Sequence, residues 1–244
     1  MKNHFFLIIS LLMIILNSCN NMDNEIKKIV AFGDSTTSDE YIVENVFSKN
    51  LSFLFADSGL NIEIINSGVS GNTTEDALLR FNEDVLEHEP DLVIIQFGIN
   101  DSYVDNFGGN TKPFIPISRY RENLEYFINT LKEKNIKIIL MTPNPLRWTD
   151  ELKLICGQEP FNINDPKGLN FYVEKFAQVV RDVAKKQGIT LVDIYNIFEN
   201  SESNNKVKVC DLLLDGIHPN EKAHKIITDS LFKTIIALNK SNTK

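Results

Sequence analysis

Three side chains in this sequence have the types that acyl-transfer chemistry needs: Ser35, Asp215 and His218. A serine hydroxyl is a poor nucleophile until a base within hydrogen-bond reach takes its proton. The chain has 4 histidines to supply one. His4 lies in an apolar N-terminal run, and His88 follows a Glu-rich stretch and reads as solvated surface. His224 is expected to be a partly exposed helix residue, as most mid-helix histidines have no chemistry. His218 differs because Asp215 stands three residues before it. On a turn leading into a helix, that spacing lets the carboxylate reach the imidazole N–H, fix the tautomer and stabilise the imidazolium. Taken alone, Asp-x-x-His-Pro reads as a helix cap before Pro219. Its companions in the chain decide between the two.

Those companions depend on the elements that position them. Apolar runs at 28–32, 62–65, 91–97, 136–141 and 190–194 are rich in β-branched residues. Such runs suit strands buried on both faces of a parallel sheet. Helical spacing lies between them. Ala77, Leu78, Phe81, Val85 and Leu86 share a helix face after Asn72-Thr73, a plausible cap. Ile117, Tyr120, Leu124, Phe127, Ile128 and Leu131 share another. Phe176, Val179, Val180 and Val183 precede Gly188, a helix stop, and Ala223, Ile226, Ile227, Leu231 and Ile235 mark a last helix. Alternating strands and helices predict an α/β three-layer sandwich around a five-stranded parallel sheet, with right-handed crossovers. The domains expected are a signal segment at 1–18, a tether at 19–26 and one folded unit at 27–240.

Ligands of an open parallel sheet bind beyond the carboxyl ends of its strands. Polar blocks follow the apolar runs there: Gly33-Asp34-Ser35-Thr36, Gly68-Val69-Ser70-Gly71-Asn72 and Gly98-Ile99-Asn100-Asp101, with Asp215-Gly216-Ile217-His218-Pro219-Asn220 near the end. This ordered set resembles the SGNH hydrolases, the GDSL esterase/lipase family, over about residues 27–238. The resemblance implies a flavodoxin-like sheet and ester hydrolysis with Ser35 as nucleophile, His218 as base and Asp215 orienting it. It also implies an oxyanion hole made by the Ser35 N–H, the Gly71 N–H and the Asn100 side-chain amide. Gly71 matches the pattern Asn-x-x-x-x-Gly that starts at Asn66, whereas Gly68 is expected to serve backbone conformation at the strand exit. Asn100 also reads as a plain turn residue. Ser35 is expected on a strand-to-helix turn with a helix N-terminus behind it. Asp34 is expected to accept backbone N–H bonds and shape that turn. No cofactor and no metal is implied, since no cluster has ligand spacing.

Residues 5–16 are apolar except for Ser10, follow Lys2, and are too few to span a bilayer. They read as a secretory signal peptide. Leu16-Asn17-Ser18-Cys19 resembles a bacterial lipobox, which implies lipidation at Cys19 and an exported, membrane-anchored protein. Lys+Arg 25 against Asp+Glu 33 leaves a net charge of -8, so nucleic acid is not an expected partner. With Cys19 lipidated, Cys156 and Cys210 form an even pair in an oxidising compartment, and a disulfide between them is the expectation. The stretch 143–165 is long for a connection and is expected to shape the site. It carries Arg147 and Trp148 as candidate substrate contacts, although Trp148 reads equally as a packing anchor. An anchored esterase of this kind suits acetyl groups on polysaccharide. Lysophospholipase or thioesterase action on acyl chains, or a non-catalytic carbohydrate binder, are the alternatives.

Overall fold

The computed structural model describes residues 25–39, 43–204 and 207–241. The expected signal segment 1–18 and Cys19 lie outside the described residues. Ile26, expected to close the tether, instead belongs to the packed domain. It is 1% exposed, and its N–H donates to Asn239 Oδ1 at 3.1 Å. An isoleucine buried to that degree contributes about 1.5–3 kcal/mol, which a free tether would forgo.

Five parallel strands form one sheet: β1 (Lys28–Gly33), β2 (Glu63–Gly68), β3 (Leu92–Gln96), β4 (Lys137–Met141) and β5 (Thr190–Val192). Their order is β2-β1-β3-β4-β5, the flavodoxin-like arrangement. The order reverses beside β1, so the exits of β1 and β3 diverge into a crevice. β5 stops two residues short of the expected end. Asp193 leaves the strand to cap the next helix, accepting the Asn196 N–H at 3.2 Å and pairing with Arg181 at 2.7 Å.

The helices are α1 (Phe47–Asp57), α2 (Thr74–Asp84), α3 (Ile99–Ser102), α4 (Ile117–Glu133), α5 (Asp150–Cys156), α6 (Val173–Gln187), α7 (Ile194–Ser203) and α8 (Glu221–Ser241). On one face of the sheet, α2, α4 and α6 bury Val30, Phe32, Val93 and Leu140 beneath Phe81, Phe127 and Phe176. On the other, α1, α7 and α8 bury Ile29, Ala31, Ile94 and Ile139 beneath Phe47, Phe198 and Leu231. Alternate strand residues therefore feed two separate cores, which is why the runs lack polar positions. Thr73 begins α2 with a capping box. Its hydroxyl accepts the Asp76 N–H, and Asp76 accepts the Thr73 N–H at 2.9 Å. Among the described residues no helix is long and apolar enough to cross a membrane.

Two further expectations need correction. His224 is buried, at 2% exposure, and not partly exposed. Its Nδ1 accepts the first N–H of α1, from Phe47, at 3.2 Å, and burial pushes its pKa down to about 4. It serves as a cap supplied from another helix, since Val46 before α1 has no side-chain oxygen to offer. Cys156 and Cys210 are free thiols rather than a disulfide. Cys156 is buried at the end of α5 among Leu152, Leu169 and Val173, while Cys210 is exposed with Sγ 3.8 Å from Asp211 Oδ1. The two face different surroundings, so neither is positioned for the other. The stretch 143–165, expected to shape the site, is partly helical, because Thr149 accepts the Leu152 N–H and starts α5.

Candidate active site

Ser35 follows β1 on a tight turn in which the Asp34 carbonyl accepts the N–H groups of Thr37 and Ser38 at 3.1 and 3.0 Å. The turn does not continue as a helix through Asp39, so among the described residues no helix N-terminus stands behind Ser35. Asp34 shapes it as expected. Its Oδ1 accepts the Thr36 N–H at 2.9 Å and the Thr36 hydroxyl at 2.8 Å. The turn leaves Ser35 Oγ 3.0 Å from His218 Nε2.

His218 and Asp215 lie on a loop pinched between Leu213 and Pro219, which form an antiparallel bridge. Asp215 Oδ2 meets His218 Nδ1 at 2.7 Å, and its Oδ1 accepts the Ile217 and His218 N–H groups at 2.9 and 2.8 Å. Partial burial pushes this carboxyl up, but the hydrogen bonds from the His218 ring and the two N–H groups outweigh it and hold the pKa at about 2. An ionised Asp215 only accepts, so Nδ1 carries the proton and Nε2 is left to accept from Ser35. Gly216 makes the loop possible. Its φ is +88°, and a Cβ there would come within 2.3 Å of the Arg147 carbonyl.

The segment after β4 braces this loop. The Arg147 N–H donates to the Gly216 carbonyl at 3.0 Å, and Asn144 Nδ2 donates to the Ile217 carbonyl at 2.9 Å. The Arg147 guanidinium is committed to Glu199 and Glu202 of α7, at 2.8 and 2.5 Å, and is buried. It is a strut for the His218 loop and not the expected substrate contact. Trp148 donates Nε1–H to the Asn162 and Asp165 carbonyls and packs edge-on against Phe161, with centroids 6.4 Å apart. Its role is the packing anchor.

The remaining sequence candidates gather at the same strand ends. Gly71 has φ +79°, and neither its N–H nor that of Ser35 has an acceptor among the described residues. Asn100, at the start of α3, donates one amide N–H to the Asn72 carbonyl at 3.0 Å, which ties the second and third blocks together. Gly68 is required for close approach, because a Cβ would lie 2.3 Å from the Ser38 nitrogen.

Two groups escaped the sequence reading. Arg80, on the otherwise apolar face of α2, donates to the Gly33, Ser67 and Asn72 oxygens at 2.9, 2.9 and 2.6 Å. It staples the β1 and β2 exits to the Gly71 loop. Its only signal was a cation one position before Phe81. Asp101, next to Asn100, is fully buried and accepts the Thr74 N–H at 2.9 Å. Asp101 Oδ2 and Asp34 Oδ2 are buried without a hydrogen-bond partner among the described residues. Burial raises Asp34 to about 6 against the Thr36 bonds. Burial likewise raises Asp101 to about 7 against the Thr74 bonds, with the Asp34 charge adding to it.

Ser35, Asn100 and His218 open on a cavity of about 140 Å³. A larger open groove of about 540 Å³ between α1 and α8 holds none of these residues.

Residues 31–226 match the GDSL-like lipase/acylhydrolase family. An uncharacterised lipoprotein of Bacillus subtilis, YqeF, is 30% identical over 93% of this chain and 96% of its own. An acetylxylan esterase of Geobacillus stearothermophilus is 26% identical over 72% of this chain and 73% of its own. The crystal structure of a lipase/acylhydrolase from Enterococcus faecalis superposes with a TM-score of 0.66 at 26% identity, covering 86% of this chain and 95% of the other. On this sequence match and this shared fold, the chain belongs to the GDSL-like lipase/acylhydrolase family and is a hydrolase acting on ester bonds.

Proposed function

We propose that the protein is a serine esterase that works through Ser35, His218 and Asp215. The observation that carries this reading is the hydrogen-bonded chain from Ser35 Oγ to His218 Nε2 at 3.0 Å and from His218 Nδ1 to Asp215 Oδ2 at 2.7 Å. Ser35 Oγ attacks the ester carbonyl carbon as His218 Nε2 takes its proton. The carbonyl oxygen becomes an oxyanion held by the Ser35 N–H, the Gly71 N–H and the free amide N–H of Asn100. Collapse breaks the bond to the alcohol, which leaves with the proton from His218. Water then attacks the acyl-serine, giving its proton to His218, and the carboxylic acid departs as Ser35 regains its proton. Asp215 stays ionised throughout and stabilises the imidazolium.

Carbohydrate O-acetyl esters are the substrates that the relatives support. Two proteins named acetylxylan esterase, from Geobacillus stearothermophilus and Xylanibacter ruminicola, are 26% and 28% identical to this chain. The apolar run before Leu16-Asn17-Ser18-Cys19 and the lipoprotein name of the Bacillus relative support export and lipid anchoring at Cys19. Acetate release from acetylated xylo-oligosaccharide tests the reading. The native protein should release it, and Ser35→Ala, which keeps the backbone N–H, should lose 10³-fold or more. A folded Ser35→Ala protein with native turnover would overturn the serine assignment.

A further inference from the structure

We infer that the end of the domain where the strands begin is its membrane-facing surface, so that the Ser35 site opens away from the bilayer that carries the protein and onto substrate in the aqueous phase. The inference rests on the reading of Cys19 as the lipid anchor. All five strands are parallel, so they begin at one end and deliver Ser35, Gly71 and Asn100 at the other. The tether joins the domain at the first end. The Ile26 N–H donates to Asn239 Oδ1 near the close of α8. The Lys27 and Lys28 N–H groups donate to Asp91 Oδ2 at 2.7 and 2.8 Å, at the entry of β3. The chain is therefore held in the fold from Ile26 onward.

Seven residue steps separate Cys19 from Ile26, and they reach about 25 Å at full extension. For the site to face the bilayer, those steps would have to pass round a helix layer about 10–12 Å across and then climb the length of β1, about 17 Å. That path would bring Cys19 only to the level of Gly33, and the Ser35 turn stands beyond it. The reach is too short. Phe114 and Leu154, 66% and 83% exposed after β3 and β4, are apolar groups at the site end that a lipid surface would accept, and the tether keeps them from it. The opposite end suits headgroups. Lys132, Lys134, Lys185 and Lys186 are exposed where α4 and α6 finish side by side, and Lys132 Nζ donates to the Gln187 carbonyl at 2.8 Å. Lys186 pairs with Glu125 at 3.1 Å, Glu133 stands among these lysines, and Asp57, Glu63 and Glu89 lie at the entries of β2 and β3. The charge of this end is mixed, with its lysines gathered on the β4–β5 side, so an anionic leaflet attracts that side most. An enzyme held in this way serves esters in the water above the membrane and does not reach those of the lipids beneath it.

The experiment places the full lipidated chain in vesicles of phosphatidylglycerol and phosphatidylethanolamine that contain a headgroup spin-labelled lipid as quencher. A fluorophore is attached at Lys134→Cys or at Leu154→Cys, each in a Cys210→Ala background, since Cys210 is the exposed native thiol. Phe114→Cys repeats the reading at the site end. Quenching should be about fivefold or more stronger at Lys134→Cys than at either site-end label. Equal quenching, or stronger quenching at the site end, would overturn the orientation. Mass spectrometry of Cys19 on the same sample reports the anchor separately, and a chain without lipid there would reject the anchor and the orientation with it. Activity gives a second readout. The anchored protein should hydrolyse acetylated xylo-oligosaccharide within about twofold of unlipidated Cys19→Ala protein, and should turn over a short-chain ester lipid in its own vesicles no faster than that variant does. A tenfold gain on the vesicle lipid upon anchoring would overturn the proposal. Loss of both activities with the quenching contrast intact would reject the serine esterase reading and uphold the orientation.

Discussion

Asp215 is half exposed and accepts three hydrogen bonds, whereas Asp34 and Asp101 are buried and each leave one carboxylate oxygen without a partner among the described residues. All three adjoin the chemistry, one through His218 and the others as sequence neighbours of Ser35 and Asn100. Their charge states separate accordingly. Asp215 is held at about 2 and is ionised at neutral pH. Asp34 and Asp101 are raised to about 6 and about 7, chiefly by burial, with the Asp34 charge adding to the rise at Asp101. A carboxylate that must stabilise an imidazolium is given donors and solvent. Carboxyls that only hold backbone in place are given burial and one good hydrogen-bonded oxygen each. The difference between the settings is burial first and the number of donors second, not the residue type.

The same substitution in both settings should break this comparison open. Asp215→Asn keeps an oxygen for the Ile217 and His218 N–H groups but presents an amide to His218 Nδ1. The imidazole is then held in the wrong tautomer, and kcat should fall about 10³- to 10⁴-fold with little change in melting temperature. Asp34→Asn, which keeps an oxygen for both Thr36 donors, should change kcat by less than tenfold. Steady-state kinetics on the two folded variants checks this. A loss below tenfold for Asp215→Asn would reduce Asp215 to a loop brace.

Stability should separate the settings second. Asp101 has a raised pKa in the folded state, so the unfolded chain ionises first as pH rises from about 4. Stability therefore declines between about pH 4 and 7, then levels off once the folded group has also ionised. Asp215 has the opposite sign, as its contribution is present above about pH 4 and is lost as pH falls towards 2. Asp101→Asn removes the first decline and keeps an acceptor for Thr74. It should be more stable than the native protein by about 2–4 kcal/mol at pH 8 and near parity at pH 4. Urea denaturation at the two pH values is the measurement, and an equal effect at both would show that Asp101 does not hold a proton.

Much of this was readable from spacing, because spacing reports local geometry. Asp215 and His218 are three residues apart, and each polar block directly follows an apolar run. The strand exits therefore marked themselves, and the period of Ile117 to Leu131 marked α4. Interactions between residues far apart in the chain left no such trace. Arg147 finds Glu199 and Glu202 at separations of 52 and 55 residues, so it looked available for substrate. His224 caps α1 across 177 residues, so it looked exposed. Asp101 drew no reading of its own, because its partner Thr74 is 27 residues earlier. Cys156 and Cys210 paired only by count, and their environments depend on α5 and on the loop that carries Asp215.

The smallest expected effect tests whether the Asp34 setting is tuned or merely buried. Thr36 is 1% exposed and gives Asp34 Oδ1 two of its donors, the N–H and the hydroxyl. Thr36→Val has almost the same shape and removes only the hydroxyl. Asp34 then keeps one donor on that oxygen and, among the described residues, none on the other. A hydrogen bond to a neutral carboxyl contributes about 1 kcal/mol, and one to a carboxylate about 1.5–3 kcal/mol. The substitution should therefore cost about 1 kcal/mol at pH 5, below the Asp34 pKa of about 6, and about 2 kcal/mol at pH 8. Its Asp34 pKa should move further up, since the lost donor favoured the charged form. Catalysis should change less than threefold, because the Ser35 turn is still closed by the Asp34 carbonyl accepting from Thr37 and Ser38. Thermal melting of native and Thr36→Val protein across pH 5 to 8 gives both numbers. A cost that is the same at both ends would mean that the hydroxyl supports the turn and not the charge, and the contrast with Asp215 would then rest on burial alone.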